Sequence, residues 1–307
     1  MKKHIIRYAG FALAILGLVA CSEESETILR QDTKTEQAPS DSDSTAIPMT
    51  FVVTHPGQSR ATETNFEQND KIGLYVADAK AALEIGGNLV NNEALVFDGN
   101  TWAASRTLYW DEGTYNAYAY YPYIKGISSI EDQPFSVSTD QSTQKTADAL
   151  GGYEASDLLF ATSKNITAST SPVNLTFKHI MSKLKIRLVK GEDFEGDMPT
   201  TATVYIHNTV PTATIDLQAG VATRYVKGTR ATITAHQDDE TSYSAIIVPQ
   251  RIDNRQPLIE VVMKGVSYLF ESKFQFRSGT EHLVNLVISD NPDQVKIDIG
   301  GEIKNWN

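Results

Sequence analysis

Residues 173–188 read Val-Asn-Leu-Thr-Phe-Lys-His-Ile-Met-Ser-Lys-Leu-Lys-Ile-Arg-Leu, and this stretch decides how the chain folds. Val173, Leu175 and Phe177 are apolar at odd positions, whereas Leu184, Ile186 and Leu188 are apolar at even ones. Side chains of a strand alternate between two faces, so one regular strand cannot bury both sets. The chain must bulge, or kink from one sheet to another, around His179-Ile-Met-Ser182. A sequence that changes sheets in mid-run belongs to a layered β architecture.

The flanking sequence has the same character. Before the switch lie Met49–Val53, Ile72-Gly-Leu74-Tyr-Val76, Leu95-Val-Phe97, Leu108-Tyr-Trp110, Tyr115–Tyr123, Phe135-Ser-Val137 and Leu158-Leu-Phe160. Asp98-Gly99-Asn100 between Phe97 and Trp102 reads as a hairpin turn. Residues 138–156 are polar and Gly-bearing, a long loop with room for one short helix. After the switch, strands are expected at Thr203–Ile206, Thr214–Leu217, Ala231–Thr234, Ser244–Val248, Leu258–Met263, Ser267–Phe270, Phe274–Phe276 and Leu283–Ile288. Lys264-Gly265 marks a second hairpin. Val295-Lys-Ile297-Asp-Ile299 alternates once more before Gly300-Gly301 and Trp306. Many short strands with turn residues between them predict an all-β fold of sandwich type. The length fits two sandwiches split near residues 165–172 better than one.

The first 46 residues do not belong to that fold. Lys2, Lys3 and Arg7 precede an apolar run, Tyr8–Ala20, which is shorter than the roughly 20 residues that span a bilayer. A basic start, a short apolar segment and small residues before a cut form a secretory signal. Cys21, the only cysteine, follows that cut in Leu18-Val-Ala-Cys21, which resembles a bacterial lipobox. The resemblance implies cleavage before Cys21 and acylation of its thiol. Acyl chains anchor by burying methylenes, at about 0.8 kcal/mol each. Residues 21–46 are Ser, Thr, Asp, Glu and Gln with almost no large apolar residue, the composition of a flexible acidic tether. The acidic Ser22–Glu26 also resembles the export signal of outer-membrane surface lipoproteins. A plain solvated linker explains it equally well.

Net charge bounds the partners. The full chain carries −11, and losing Lys2, Lys3 and Arg7 with residues 1–20 leaves −14. So acidic a surface repels phosphate backbones, which argues against nucleic acid. With Cys21 lipidated there is neither a disulfide nor a Cys-ligated metal site to expect. The 41% apolar content suffices for a packed core.

The order of short motifs is more specific than any one of them. Ser59-Arg-Ala-Thr62 precedes Asn69-Asp-Lys-Ile-Gly-Leu-Tyr75. Trp110-Asp-Glu-Gly113, Ala119-Tyr-Tyr-Pro-Tyr123 and Asp157-Leu-Leu-Phe-Ala161 follow. Then come Leu175-Thr-Phe-Lys-His179, Ser182-Lys-Leu184, Ile247-Val-Pro-Gln250 and Phe276-Arg-Ser-Gly279. In this order, over residues 49–307, the chain resembles the fimbrillin family, lipoprotein precursors of type V pili. The resemblance implies two tandem transthyretin-like Greek-key β-sandwiches, here residues 47–168 and 169–307, behind the signal peptide (1–20) and tether (21–46). It implies a structural or adhesive pilus subunit, not an enzyme, at the outer membrane and cell surface or in the fimbrium.

In that family an arginine-specific protease removes an N-terminal strand, and a strand from the next subunit fills the groove. Arg60 stands in the polar loop Thr54–Thr64, directly after Met49–Val53, and is the candidate processing site. Arg30 competes, but a cut there leaves the first strand in place. The candidate donor strand is the C-terminal segment, with Val295, Ile297 and Ile299 on one face. The same segment can instead be an edge strand of its own domain, which would make the chain an accessory, tip or anchor subunit.

Other residues have plainer readings. Tyr109, Trp110, Tyr115, Tyr118, Tyr120, Tyr121 and Tyr123 could stack against sugars, giving the alternative of a non-polymerising surface lipoprotein that binds glycan or another host ligand. Alternation sends about half of these rings inward, which favours core packing. His179 has no metal-ligand spacing around it and is expected to be a buried, hydrogen-bonded residue. Glu192-Asp193 and Asp238-Asp-Glu240 do not match an EF-hand and read as solvated turns. There is no Gly-rich phosphate loop and no Gly-x-Ser-x-Gly elbow. No catalytic residue, cofactor or metal is expected.

Overall fold

A computed structural model of the chain describes residues 46–57, 65–147, 149–289, 296–298 and 303–306. Cys21, Arg30, Arg60, Val295 and Ile299 lie outside them. Among the described residues no helix is long and apolar enough to cross a membrane.

The first part of the chain contributes β1 (Ile47–Pro48), β2 (Phe51–Thr54), β3 (Lys71–Asp78), β4 (Val90–Phe97), β5 (Trp102–Ala103), β6 (Tyr109–Trp110), β7 (Thr114–Tyr121) and β8 (Gln133–Ser136). A five-residue helix, α1 (Gly152–Ser156), interrupts the expected long loop before β9 (Leu159–Thr167). The expected hairpin joins β4 to β5, with Asp98 Oδ1 accepting from the amides of Asn100 and Thr101 and Gly99 at φ +104°. Next come β10 (Val173–Thr176), β11 (Lys178–His179) and β12 (Ser182–Lys190). A six-stranded sheet runs β11-β9-β7-β3-β4-β5, with every pair antiparallel.

Both faces of its central strands, β3 and β7, are buried. From β3, Ile72, Leu74 and Val76 enter one core while Tyr75 and Ala77 enter the other. From β7, Tyr115, Ala117, Ala119 and Tyr121 enter the first core, and Tyr118 and Tyr120 the second. A strand covered on both sides has no polar face, which is why these segments read as unbroken apolar runs. Gly73 is obligatory in this layer. It pairs with Tyr120, and a Cβ there would lie 2.3 Å from the Tyr120 ring.

The switch at residues 173–188 is real. Val173, Leu175 and Phe177 pack into the first core, and β10 pairs in parallel with β2. After Ile180 and Met181 the chain enters β12, whose Leu184, Ile186 and Leu188 pack into the second core. The two parities belong to two sheets.

The rest of the chain forms β13 (Thr203–Thr209), β14 (Thr212–Asp216), β15 (Val221–Arg224), β16 (Ala231–Thr234), β17 (His236–Gln237) and β18 (Ser242–Ile247). It continues with β19 (Gln250–Met263), β20 (Val266–Phe276), β21 (Thr280–Ile288), β22 (Lys296–Asp298) and β23 (Ile303–Asn305). Lys264 and Gly265, at φ +49° and +76°, make the turn of the long β19–β20 hairpin. One sheet runs β17-β18-β12-β21-β22, and β12 lies parallel to β21 over its full length. A second runs β16-β13-β19-β20, and a third β15-β14-β8. Val204, Ile206, Ile259 and Val261 of the second sheet share the core of Leu184, Ile186, Val284 and Leu286, a sandwich of two sheets. Pairing crosses residue 168 in both directions: β10 and β11 join first-part strands, and β8 joins β14.

Candidate functional site

The segment ahead of the Arg60 loop lies in an edge position. β1 pairs antiparallel with β6, and the Met49 amide donates to the Leu108 carbonyl at 2.8 Å. β2 then runs beside β10, flanked by hydrogen bonds from the Val173 amide to the Thr50 carbonyl and from the Phe177 amide to the Thr54 carbonyl. Met49 is buried in the first core, and Ile47, Phe51 and Val53 pack against it. Val52, on the opposite face, is 46% exposed. Burying a methionine side chain stabilises by about 1.5–3 kcal/mol, so this segment closes the first core as an apolar stopper. Its sequence shows why: Met49-Thr-Phe51-Val-Val53 puts the large apolar groups on alternate positions.

The other end of the chain is paired within the molecule. Ile297 lies in β22, opposite Leu286 of β21, and β23 pairs with Thr280–His282 of the same strand. The Trp306 amide donates to the Gly279 carbonyl at 2.9 Å, and its ring is buried.

The residue after β2 and the residue after β23 meet in one cleft of about 660 Å³, lined by His55, Tyr121, Lys145, His179, Lys183 and Trp306 among others. Each of its three lysines lies near a carboxylate of the same chain. Lys183 Nζ lies 3.3 Å from Glu281, Lys185 Nζ 3.4 Å from Asp238, and Lys145 Nζ 2.7 Å from Glu67. His179 Nδ1 is 2.8 Å from Asp157 Oδ1, so the buried, partnered histidine expected from the sequence is present. The His179 ring stacks on Trp306, with centroids 3.7 Å apart and planes within 5°. His55 also meets His179 edge-on, with centroids 6.0 Å apart. Burial pulls the His55 pKa down to about 4; the Asp157 carboxylate opposes that shift and His179 adds to it. Burial also raises the carboxyl of Asp70 at the cleft wall above its ordinary range.

The aromatic cluster of residues 109–123 is core. Trp110, Tyr115, Tyr118, Tyr120 and Tyr121 are buried, Tyr123 is half-buried, and only Tyr109 is exposed. The continuous ring platform that glycan stacking would need is not presented. The acidic turn is structural: Asp239 Oδ1 accepts from the amides of Thr241 and Ser242, which holds its carboxyl below the ordinary range. Among the described residues no cluster of ligating side chains could hold a metal ion.

Two arrangements escape sequence reading. One is the His55–His179–Trp306 column, assembled from three distant positions. The other is a surface network in which His207 lies 2.9 Å from Thr232 Oγ1 and 2.8 Å from Glu260, which also accepts from Ser267. The sequence singles out two of its members, His179 at the switch and Trp306 near the end, without linking them.

Comparison with known proteins decides the family. The fimbrillin-like family model matches residues 59–306. The chain belongs to the fimbrillin-like family. A search of curated proteins finds no match. Among solved structures, a candidate cell adhesion protein from Bacteroides uniformis aligns at TM-score 0.65 and 21% identity, covering 88% of this chain and all of that one. A second, from Bacteroides ovatus, aligns at TM-score 0.63 and 20% identity, covering 85% of this chain and 98% of that one. At these identities the likeness establishes the fold, an all-β sandwich as expected. Fimbrillin-like membership supports a pilus or adhesion subunit at the cell surface or in a fimbrium, and sets the chain apart from enzyme families.

Proposed function

We propose that this fimbrillin-like protein is a structural or adhesive subunit of a type V pilus, carried to the outer membrane as a Cys21-anchored lipoprotein and assembled by strand exchange. The observation that carries the reading is the N-terminal segment 47–54. It is short, lies at an edge, points its large apolar side chains into the first core, and ends ahead of the loop that holds Arg60. Cutting at Arg60 would free it together with the lipid. Its loss would bare the backbone groups of β10 and an apolar slot, and a strand from another subunit restores both. The division at 168/169 belongs to the same proposal as a boundary along the sequence; β10, just beyond it, pairs with β2 and borders the slot.

The C-terminal segment supports a narrower role. Ile297 pairs into the chain's own sheet rather than projecting as a donor. That favours an accessory, tip or anchor subunit over a stalk repeat. The glycan-binding alternative loses support from the burial of the ring cluster.

The test is N-terminal sequencing and sizing of the surface form beside an Arg60→Ala strain. A species starting at Ala61, in a high-mass ladder that the substitution abolishes, is expected. An acylated Cys21 terminus on a monomer in both strains would overturn the reading.

A further inference from the structure

The ring column joins the first and last described segments of residues 46–306 at one place. His55 directly follows β2, the segment that closes the first core. His179 ends β11, where the chain leaves the first core for the second. Trp306 follows β23, and its amide is tied to Gly279, whose own amide donates to the Met181 carbonyl. Both faces of the junction are thereby fixed through residues 179–181.

The lysines of the cleft and His179 of the column are engaged within the chain. Lys145, Lys183 and Lys185 each have a carboxylate within 3.4 Å, and Asp157 engages His179. The rings contact one another: His55 meets Phe66 and His179 edge-on, His179 stacks on Trp306, and the Lys183 ammonium lies 5.7 Å from the Trp306 centroid. His179 and Lys183 are buried beside their partners Asp157 and Glu281, and losing one member of such a pair strands the other.

We propose that the column is a coupling device: the N-terminal strand holds His55 against His179, His179 holds Trp306, and removal of the strand loosens the C-terminal segment from β21. The coupling itself is a property of the uncut chain. Its role, making the firmness with which the C-terminal segment is held depend on whether the slot is filled, rests on the strand-exchange reading. Coupling of this kind is reciprocal, so loosening Trp306 must also loosen β2.

The test is hydrogen exchange on the uncut full chain, so it does not depend on whether Arg60 is ever cut. His55→Ala should speed exchange of the Trp306 amide about fivefold or more. Trp306→Ala should likewise speed exchange of the Phe177 amide, which is bonded to Thr54. Val52→Ala, on the exposed face of the same strand, should change neither. The double variant should exchange no faster at Phe177 than Trp306→Ala alone, because the path is already broken. Trp306 exchange unchanged in His55→Ala, or single effects that multiply in the double variant, would overturn the coupling. A failed Arg60 cut with this result intact would overturn only the processing step.

Discussion

The two cores are built from the same alternating strands but closed by different means. The second core is closed by long pairings within the body of the chain: β12 beside β21 along nine residues, and the β19–β20 hairpin. The first is closed on one side by β1 and β2, two and four residues long, paired at an edge. The contrast shows where such a molecule can be opened. A strand held by a few hydrogen bonds and three or four apolar side chains can leave while the rest stays folded.

The largest effect should come from the second core. Leu184→Ala should cost about 2–5 kcal/mol of global stability, read as a lowered urea midpoint. Met49→Ala should instead speed exchange of the β10 amides while moving that midpoint much less. Equal shifts of the midpoint would erase the contrast between the cores.

A pH series sharpens the comparison at the junction. The folded His55 pKa is about 4 against 6.5 for the free side chain, so between these values the unfolded chain binds more protons. Stability from this group is therefore present above pH 6.5 and lost as pH falls toward 4, by up to about 3 kcal/mol. His55→Asn should flatten that part of the profile in urea unfolding at successive pH values. An unchanged slope would remove His55 from the account.

Gly73→Ala tests the layer shared by both cores, because its Cβ meets the Tyr120 ring. Overpacking there should cost about 1–3 kcal/mol by thermal unfolding. The smallest effect belongs to the exposed ring: Tyr109→Ala should stay within about 0.5 kcal/mol. A large loss there would mean that Tyr109 is covered by something beyond the chain.

Much of this architecture could be read from periodicity. The parity change between Phe177 and Leu184 located the sheet switch, Lys264-Gly265 the long hairpin, and Asp98-Gly99 the short one. The double burial of β3 and β7 was written as apolar runs without a polar face, but such runs do not say which core each residue enters. The exchange of β8 into the sheet with β14 left no local mark, since strand partners are chosen by packing across the chain. Nor did the junction. Lys183 sits in an apolar run as if exposed, and its burial becomes intelligible only when Glu281 and Trp306 arrive from a hundred residues away. Trp306, noted only as a terminal aromatic, gains its meaning from His179.

The most direct test of a detachable N-terminal strand uses a chain with a unique protease site placed within residues 58–64. After cutting, a labelled peptide of residues 46–57 is offered in excess, beside Phe51→Asp and Val52→Asp versions. The account predicts exchange into a chain that stays folded, abolished by the charge at position 51 and tolerated at position 52. A cut chain that unfolds, or that takes up none of the peptides or all three alike, would contradict it.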